Sequence, residues 1–190
     1  MLSLKKINKN CTIGILDLKI FSLNKINLTR REIEKTGAKM ILEHLLNSKE
    51  FELLYSLENK PYLKNRTEHI SISHSYDKLA IIINKKAICG IDIELIRNKV
   101  LKIKHKYLNE HEIEFANNDV EKLITYWSSK ETLFKLYSLK NIDFINNLFV
   151  EDFLKNTFYG RIETSEKKIK YILKREKIDN YILVYSINEV

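Results

Sequence analysis

Residues that break or punctuate a chain are scarce here, with one proline and four glycines in 190 residues. That excludes collagen-like repeats and Pro/Gly-rich linker sequence. The two cysteines, Cys11 and Cys89, lie far apart and form no CxxC pair, which argues against a structural zinc site. Two isolated thiols suit a reducing compartment, and because both sit in apolar segments they are expected to be buried core residues. No run approaches the ~18 apolar residues of a membrane span. The apolar stretch after Cys11 is cut by Asp17 and Lys19 and makes a poor signal peptide. The cytoplasm is therefore the expected location, with no membrane partner. The phosphate-binding patterns GxxxxGK(S/T) and GxGxxG are missing, so neither P-loop nor Rossmann chemistry is supported. Without GxSxG, and with no Asp placed beside Ser73-His74-Ser75, a Ser-His-Asp hydrolase is excluded.

What is present is a basic chain of ordinary apolar content, with net charge +8 and 44% hydrophobic residues. Its length suits one domain or two small, closely packed halves with a sizeable core. Ile, Leu, Phe and Tyr are spread along the whole sequence, which argues against disorder. A positive surface attracts acidic proteins, phosphorylated cofactors, nucleic acid or anionic membrane. Charge alone does not choose among them, and a Lys-rich surface also serves plain solubility.

Hydrophobic patterning gives an α+β reading. Residues 11–20 read as a strand. Thr29-Arg30-Arg31-Glu32 has the capping-box pattern, and Ile33, Met40, Ile41 and Leu45 recur at helical spacing, giving a helix over roughly 29–47. A strand is expected over 51–57 and a loop at Lys60-Pro61. Ile70 and Ile72 alternate with polar residues in 69–75, as in a half-buried strand. The apolar runs 79–83 and 87–95, joined by Asn84-Lys85-Lys86, read as a β-hairpin. A cap at Asn109–Glu112, a helix over 121–139 and strands over 157–163, 167–175 and 181–188 complete the pattern. Each half thus carries a helix and a small antiparallel sheet.

The chemistry concentrates in two segments. In a strand, Asp92 and Glu94 of Gly90-Ile91-Asp92-Ile93-Glu94 share one face while Ile91, Ile93 and Leu95 share the other. Two neighbouring carboxylates favour either exposure or a cation between them, and Gly90 leaves room for a close ligand or backbone approach. Trp127, Glu131 and Lys135 form one stripe of a helix. An exposed Glu–Lys pair at this spacing is worth only about 0.3–0.5 kcal/mol and is common, but it does not explain the tryptophan. Carboxylates from Asp92, Glu94 and Glu131 suit Mg²⁺, which keeps other positions for water or phosphate oxygens. Lys135 could neutralise charge on a phosphate or deliver a proton to a leaving group. Ser73, His74 and Ser75 are donors suited to a phosphate or a base edge, although a lone His near a strand end is more often structural.

The order Lys60-Pro61, Ile72-Ser73-His74-Ser75, Gly90-Ile91-Asp92-Ile93-Glu94, Trp127-Ser128-Ser129-Lys130-Glu131 and Lys135 resembles the 4'-phosphopantetheinyl transferase superfamily. The resemblance spans roughly residues 60–135. It implies a pseudo-dimer of two similar α+β lobes, each with a long helix on a small antiparallel sheet. The lobes are expected at 1–90 and 91–190, with the active-site cleft between them, as in the two-lobed, monomeric members similar to surfactin synthetase activators. The implied reaction moves the 4'-phosphopantetheine arm of coenzyme A onto a serine of an apo acyl or peptidyl carrier protein and releases adenosine 3',5'-bisphosphate. By the same resemblance, Asp92, Glu94 and Glu131 would hold Mg²⁺, and Glu131 and Lys135 would be catalytic. Arg30, Lys60, Ser73, His74 and Lys130 would contact coenzyme A; Arg30, or its neighbour Arg31, is the loosest match, to a basic residue on the 3'-phosphate. Glu112 is similar to a further acidic position of the family, with helix capping an equal or better reading. Two departures, Tyr137-Ser138-Leu139-Lys140-Asn141 after the helix and Asn59 before Lys60-Pro61, stand where the family often has glycine. Fatty-acid, polyketide and peptide synthesis all stay open as the pathway. The alternatives are a non-catalytic carrier-protein or coenzyme-A-binding module of the same fold, and a metal-dependent nuclease. The nuclease reading leaves the Lys-Pro and Ser-His-Ser elements unexplained, and the transferase reading expects no nucleic-acid partner.

Overall fold

The computed structural model describes residues 1–23, 28–137 and 141–189. Ser138, Leu139 and Lys140, including the end of the helix expected over 121–139, lie outside the described residues. The chain divides into two compact units, Met1–Cys89 and Gly90–Val190. Both are mixed α+β structures with antiparallel sheets.

The first unit begins with β1 (Leu2–Lys6), β2 (Cys11–Asp17) and the short α1 (Lys19–Leu23). The long helix α2 (Arg30–Leu46) starts at Thr29, whose side chain accepts from the Glu32 amide while Glu32 returns a bond to the Thr29 amide. This reciprocal cap satisfies two otherwise orphaned donors. Asn47 ends the helix in the left-handed conformation, a role asparagine fills when glycine is absent. The expected strand at 51–57 narrows to β3 (Leu53–Tyr55), which pairs with β4 (Pro61–Leu63). Then β5 (His69–Ser75) and β6 (Lys78–Asn84) complete a four-stranded sheet in the order β1-β2-β6-β5. Helix α2 buries Gly37, Ala38, Ile41 and Leu42 in a core with Leu16, Ile70, Leu79, Ile81 and Ile83. Each such aliphatic side chain contributes about 1.5–3 kcal/mol on full burial.

The second unit begins with β7 (Ile91–Leu95), followed by α3 (Val100–Ile103), a 3-10 turn at Lys104–Lys106, α4 (Glu110–Ala116) and α5 (Val120–Tyr137). Asn109 and Glu112 form a second reciprocal cap, as the sequence suggests. Strands β8 (Leu148–Val150), β9 (Thr157–Glu163), β10 (Lys168–Ile178) and β11 (Tyr181–Glu189) make a five-stranded sheet in the order β7-β11-β10-β9-β8. Helix α5 packs on this sheet over a core including Leu123, Leu133, Leu148, Leu173, Ile182 and Val184.

One expectation is corrected. The apolar runs 79–83 and 87–95 are not partners in a hairpin. Strand β6 is already paired on both edges, by β2 and β5. Strand β7 instead pairs with β11, with Asp92 opposite Val184. The actual hairpin is β5–β6, turning at Tyr76, which has positive φ. Strands β1 and β8 carry no strong sequence signal: β1 is short and largely exposed, and β8 has three residues.

Candidate active site

The seam between β7 and α5 is built to bury polar groups. Its approach is close, because a Cβ at Gly90 would stand 2.6 Å from the Thr132 carbonyl oxygen. Gly90 is thus required by backbone packing. The Gly90 amide is satisfied by Ser186 Oγ at 3.0 Å. Along α5 the buried hydroxyls bond back to the helix: Ser129 to the Thr125 carbonyl and Thr132 to the Ser128 carbonyl, with Thr132 also donating to Val184 of β11. Those bonds satisfy the Ser129 and Thr132 hydroxyls, whereas Ser128 Oγ, buried on the same helix, has no hydrogen-bond partner among the described residues.

Asp92 and Glu94 do share a face of β7, and it is the face that meets the Trp127–Glu131–Lys135 stripe. Lys135 Nζ donates to Asp92 Oδ1 and to the Ile91 carbonyl, each at 2.9 Å. Trp127 Nε1 donates to Glu94 Oε1 at 3.1 Å. The Trp127 ring is fixed edge-on by Tyr107 and stacked by Phe144, at centroid distances of 5.0 and 5.8 Å. Asp92 is buried and Glu94 half-buried, so the pair is no solvated strand edge.

Glu131 stands between these contacts. Burial pushes its carboxyl up to about 7, the Asp92 and Glu94 charges push the same way, and Lys135 opposes them. A carboxyl whose proton affinity is raised by burial and by two neighbouring carboxylates belongs to a donor set that a hard divalent cation would relieve. Asp92, Glu94 and Glu131 therefore fit Mg²⁺ in chemical type. Among the described residues, no three Asp, Glu, His or Cys side chains already close around one point; Asp92 is held by Lys135 and Glu94 by Trp127.

Lys130 is placed differently from the cofactor contact expected of it. Its side chain is fully buried, and its ammonium donates to Glu112 Oε2 (2.7 Å), Tyr107 O (2.7 Å) and Phe144 O (2.8 Å). All three protons are committed inside the second unit, which makes Lys130 an anchor for α5. Glu112 also accepts from the Asn109 and Val150 amides. It thus joins the α4 cap, β8 and α5, and does more than the helix capping read from sequence. Burial pulls the Lys130 ammonium down and the Glu112 carboxyl up, while each favours the other's charge.

The remaining expected residues belong to the first unit. Arg30 opens α2 and its Nε lies 2.6 Å from Glu34 Oε1. His74 Nδ1 lies 3.4 Å from the same oxygen, so Arg30 and His74 meet at Glu34. Ser73 and His74 point to opposite faces of β5: Ser71, Ser73 and Ser75 are buried on one, while Ile70 and Ile72 share the α2-facing side with His74. Lys60 sits apart, half-buried in a pocket of about 160 Å³ lined also by Pro61, His69 and Cys89. Burial lowers its pKa. Burial likewise holds the Cys89 thiol up at about 12 and Cys11 at about 11, so both are poorly reactive core thiols. Sequence reasoning misses Glu34 and the Trp127–Glu94 bond; the signal for the latter was that a packed indole N–H needs an acceptor.

A family model described as "4'-phosphopantetheinyl transferase superfamily" matches residues 88–186. The match takes in the whole β7–α5 seam and nearly all of the second unit. No curated protein matches the chain.

Proposed function

The chain belongs to the 4'-phosphopantetheinyl transferase superfamily, and from that premise we propose that it is a Mg²⁺-dependent holo-carrier-protein synthase. The substrates are coenzyme A and an apo acyl or peptidyl carrier protein, and the enzyme acts as a cytoplasmic monomer. Membership implies transfer of the phosphopantetheinyl group. The finer reading rests on one observation above all: the convergence of Asp92, Glu94, Glu131 and Lys135 on one buried seam, with Glu131 held near neutrality.

In the proposed reaction the carrier serine oxygen forms a bond to the pantetheine-bearing phosphorus of coenzyme A. The bond from that phosphorus to the adenosine 3',5'-bisphosphate oxygen breaks. Glu131, beside Asp92 and Glu94, is the group that takes the serine proton, directly or through water; the raised pKa of the metal-free site would be lowered again by Mg²⁺, which keeps the carboxylate ionised to accept it. Lys135 is the cation that balances negative charge on the departing phosphate or protonates it. Asp92 and Glu94 would hold Mg²⁺ with Glu131, and the ion would supply Lewis-acid neutralisation of phosphate charge. Trp127 fixes the Glu94 carboxylate, and the Glu112–Lys130 anchor fixes the helix on which Glu131 stands. In this reading the first unit supplies nucleotide contacts through Arg30, Lys60, Ser73 and His74.

The test is the intact mass of several apo carrier proteins after incubation with coenzyme A, Mg²⁺ and the protein. The expected result is a gain of one phosphopantetheine arm, lost when the carrier serine is replaced by alanine. No gain on any carrier would sink the transferase reading.

A further inference from the structure

We propose that Glu34 is a specificity-determining residue: a built-in counter-anion for Arg30 and His74 that weakens selection for the 3'-phosphate of the nucleotide. The inference rests on the reading above that those two side chains face that phosphate. The geometry concerns the first unit alone. One carboxylate oxygen, Glu34 Oε1, lies 2.6 Å from Arg30 Nε and 3.4 Å from His74 Nδ1. The side chains of Arg30 and His74 are 51% and 50% exposed while that of Glu34 is 23% exposed. The acid is thus the inner member of the cluster and the two bases its outer members.

The arrangement has a direct consequence. Glu32, the other acid of this turn, is held by the Thr29 cap, so among the described residues Glu34 is the acid that lies between Arg30 and His74. An approaching phosphate meets two bases already partnered by a carboxylate and must compete with it. A ribose hydroxyl meets the opposite situation, since a carboxylate only accepts hydrogen bonds and the hydroxyl can donate one. The cluster therefore favours a phosphate-free ribose more than two bases without Glu34 would. Coenzyme A and 3'-dephospho-coenzyme A are expected to bind with similar affinities.

The test is calorimetric affinity for coenzyme A and for 3'-dephospho-coenzyme A, with wild type and with Glu34→Gln. The variant keeps the side chain's shape, and an unchanged melting temperature establishes its fold. In Glu34→Gln the preference for the 3'-phosphorylated form should rise by roughly fivefold, a modest figure because the cluster is partly exposed and screened. An unchanged preference overturns the proposal. So does an equal loss for both nucleotides, because it makes Glu34 a support for Arg30 and His74. A wild type that binds neither nucleotide removes the transferase reading itself, whereas one that binds coenzyme A with no Glu34 effect removes only this proposal.

Discussion

In both units the strand that precedes the long helix pairs with the second strand of a later hairpin, yet the helices bury different surfaces, α2 an apolar one and α5 a mixture of apolar and polar groups. In the first unit β2 pairs with β6 and α2 crosses over them; in the second, β7 pairs with β11 and α5 crosses. A glycine permits each close approach. A Cβ at Gly14 would stand 2.4 Å from the Ile41 side chain, and one at Gly90 would stand 2.6 Å from the Thr132 carbonyl. Beneath α2 lie Ala38, Ile41 and Leu42 against aliphatic strands. Helix α5 buries Leu123, Leu133 and Leu136 but also Ser128, Ser129, Lys130 and Thr132, and its Lys135 pairs with Asp92. The first arrangement stabilises by removing apolar area from water. The second gives up some of that to hold charges in fixed places, which is what a site for charge-separating chemistry requires.

Substitutions can break this contrast. The largest effect is expected at Glu131→Gln, which should lower turnover by about two to four orders of magnitude with little change in folding. Transfer rates with a modified-carrier assay, alongside circular dichroism, check it; near-normal turnover would remove Glu131 from the chemistry. Next is the buried anchor. Lys130→Met leaves Glu112 buried without its cation and should cost about 3–5 kcal/mol of stability. Replacing Glu112 by Gln in the same chain, which removes the charge but keeps a side-chain acceptor for the Val150 amide, should recover part of it, measured by denaturant unfolding. If the single and double variants are equally unstable, the ion pair is not what Lys130 contributes.

A cavity in the apolar seam of the first unit should behave differently. Ile41→Ala is expected to lose about 2–4 kcal/mol while turnover per folded molecule stays near wild type. A large loss of specific turnover would show that the two seams are not functionally distinct in the way described.

The smallest effect is on pH dependence. The folded Glu131 carboxyl is raised from 4.5 to about 7, so the folded state binds its proton more tightly than the unfolded state. The resulting stabilisation is full below the unfolded value and is lost as pH rises through about 7. In metal-free protein the melting temperature should fall more between pH 5 and 8 for wild type than for Glu131→Gln, and Mg²⁺ should offset the loss at pH 8. Identical profiles would place Glu131 in a less crowded environment than the seam shows.

Local signals were legible in the sequence and distant partnerships were not. The caps at Thr29–Glu32 and Asn109–Glu112 span three residues and appear as read. The Asp92/Glu94 face and the Trp127–Glu131–Lys135 stripe follow from periods of 2 and 3.6. Which strand lies beside β7 does not follow from any local pattern, because an apolar run is compatible with several neighbours; hence the corrected hairpin. Lys130 illustrates the same limit. Its place in the motif suggests a ligand contact, but its partners come from α4, the residue before that helix's cap region and the segment before β8. Glu34 likewise shows only an i, i+4 pair with Arg30, while its second contact arrives from β5.

The most direct test compares single-turnover transfer of the phosphopantetheine arm from coenzyme A to a carrier serine by wild type and by Glu131→Gln, both shown to be folded and with Mg²⁺ present. The account predicts a modified carrier with wild type and a rate at least about a hundredfold lower with the variant. A carrier left unmodified by wild type, or modified equally fast by the variant, would contradict it.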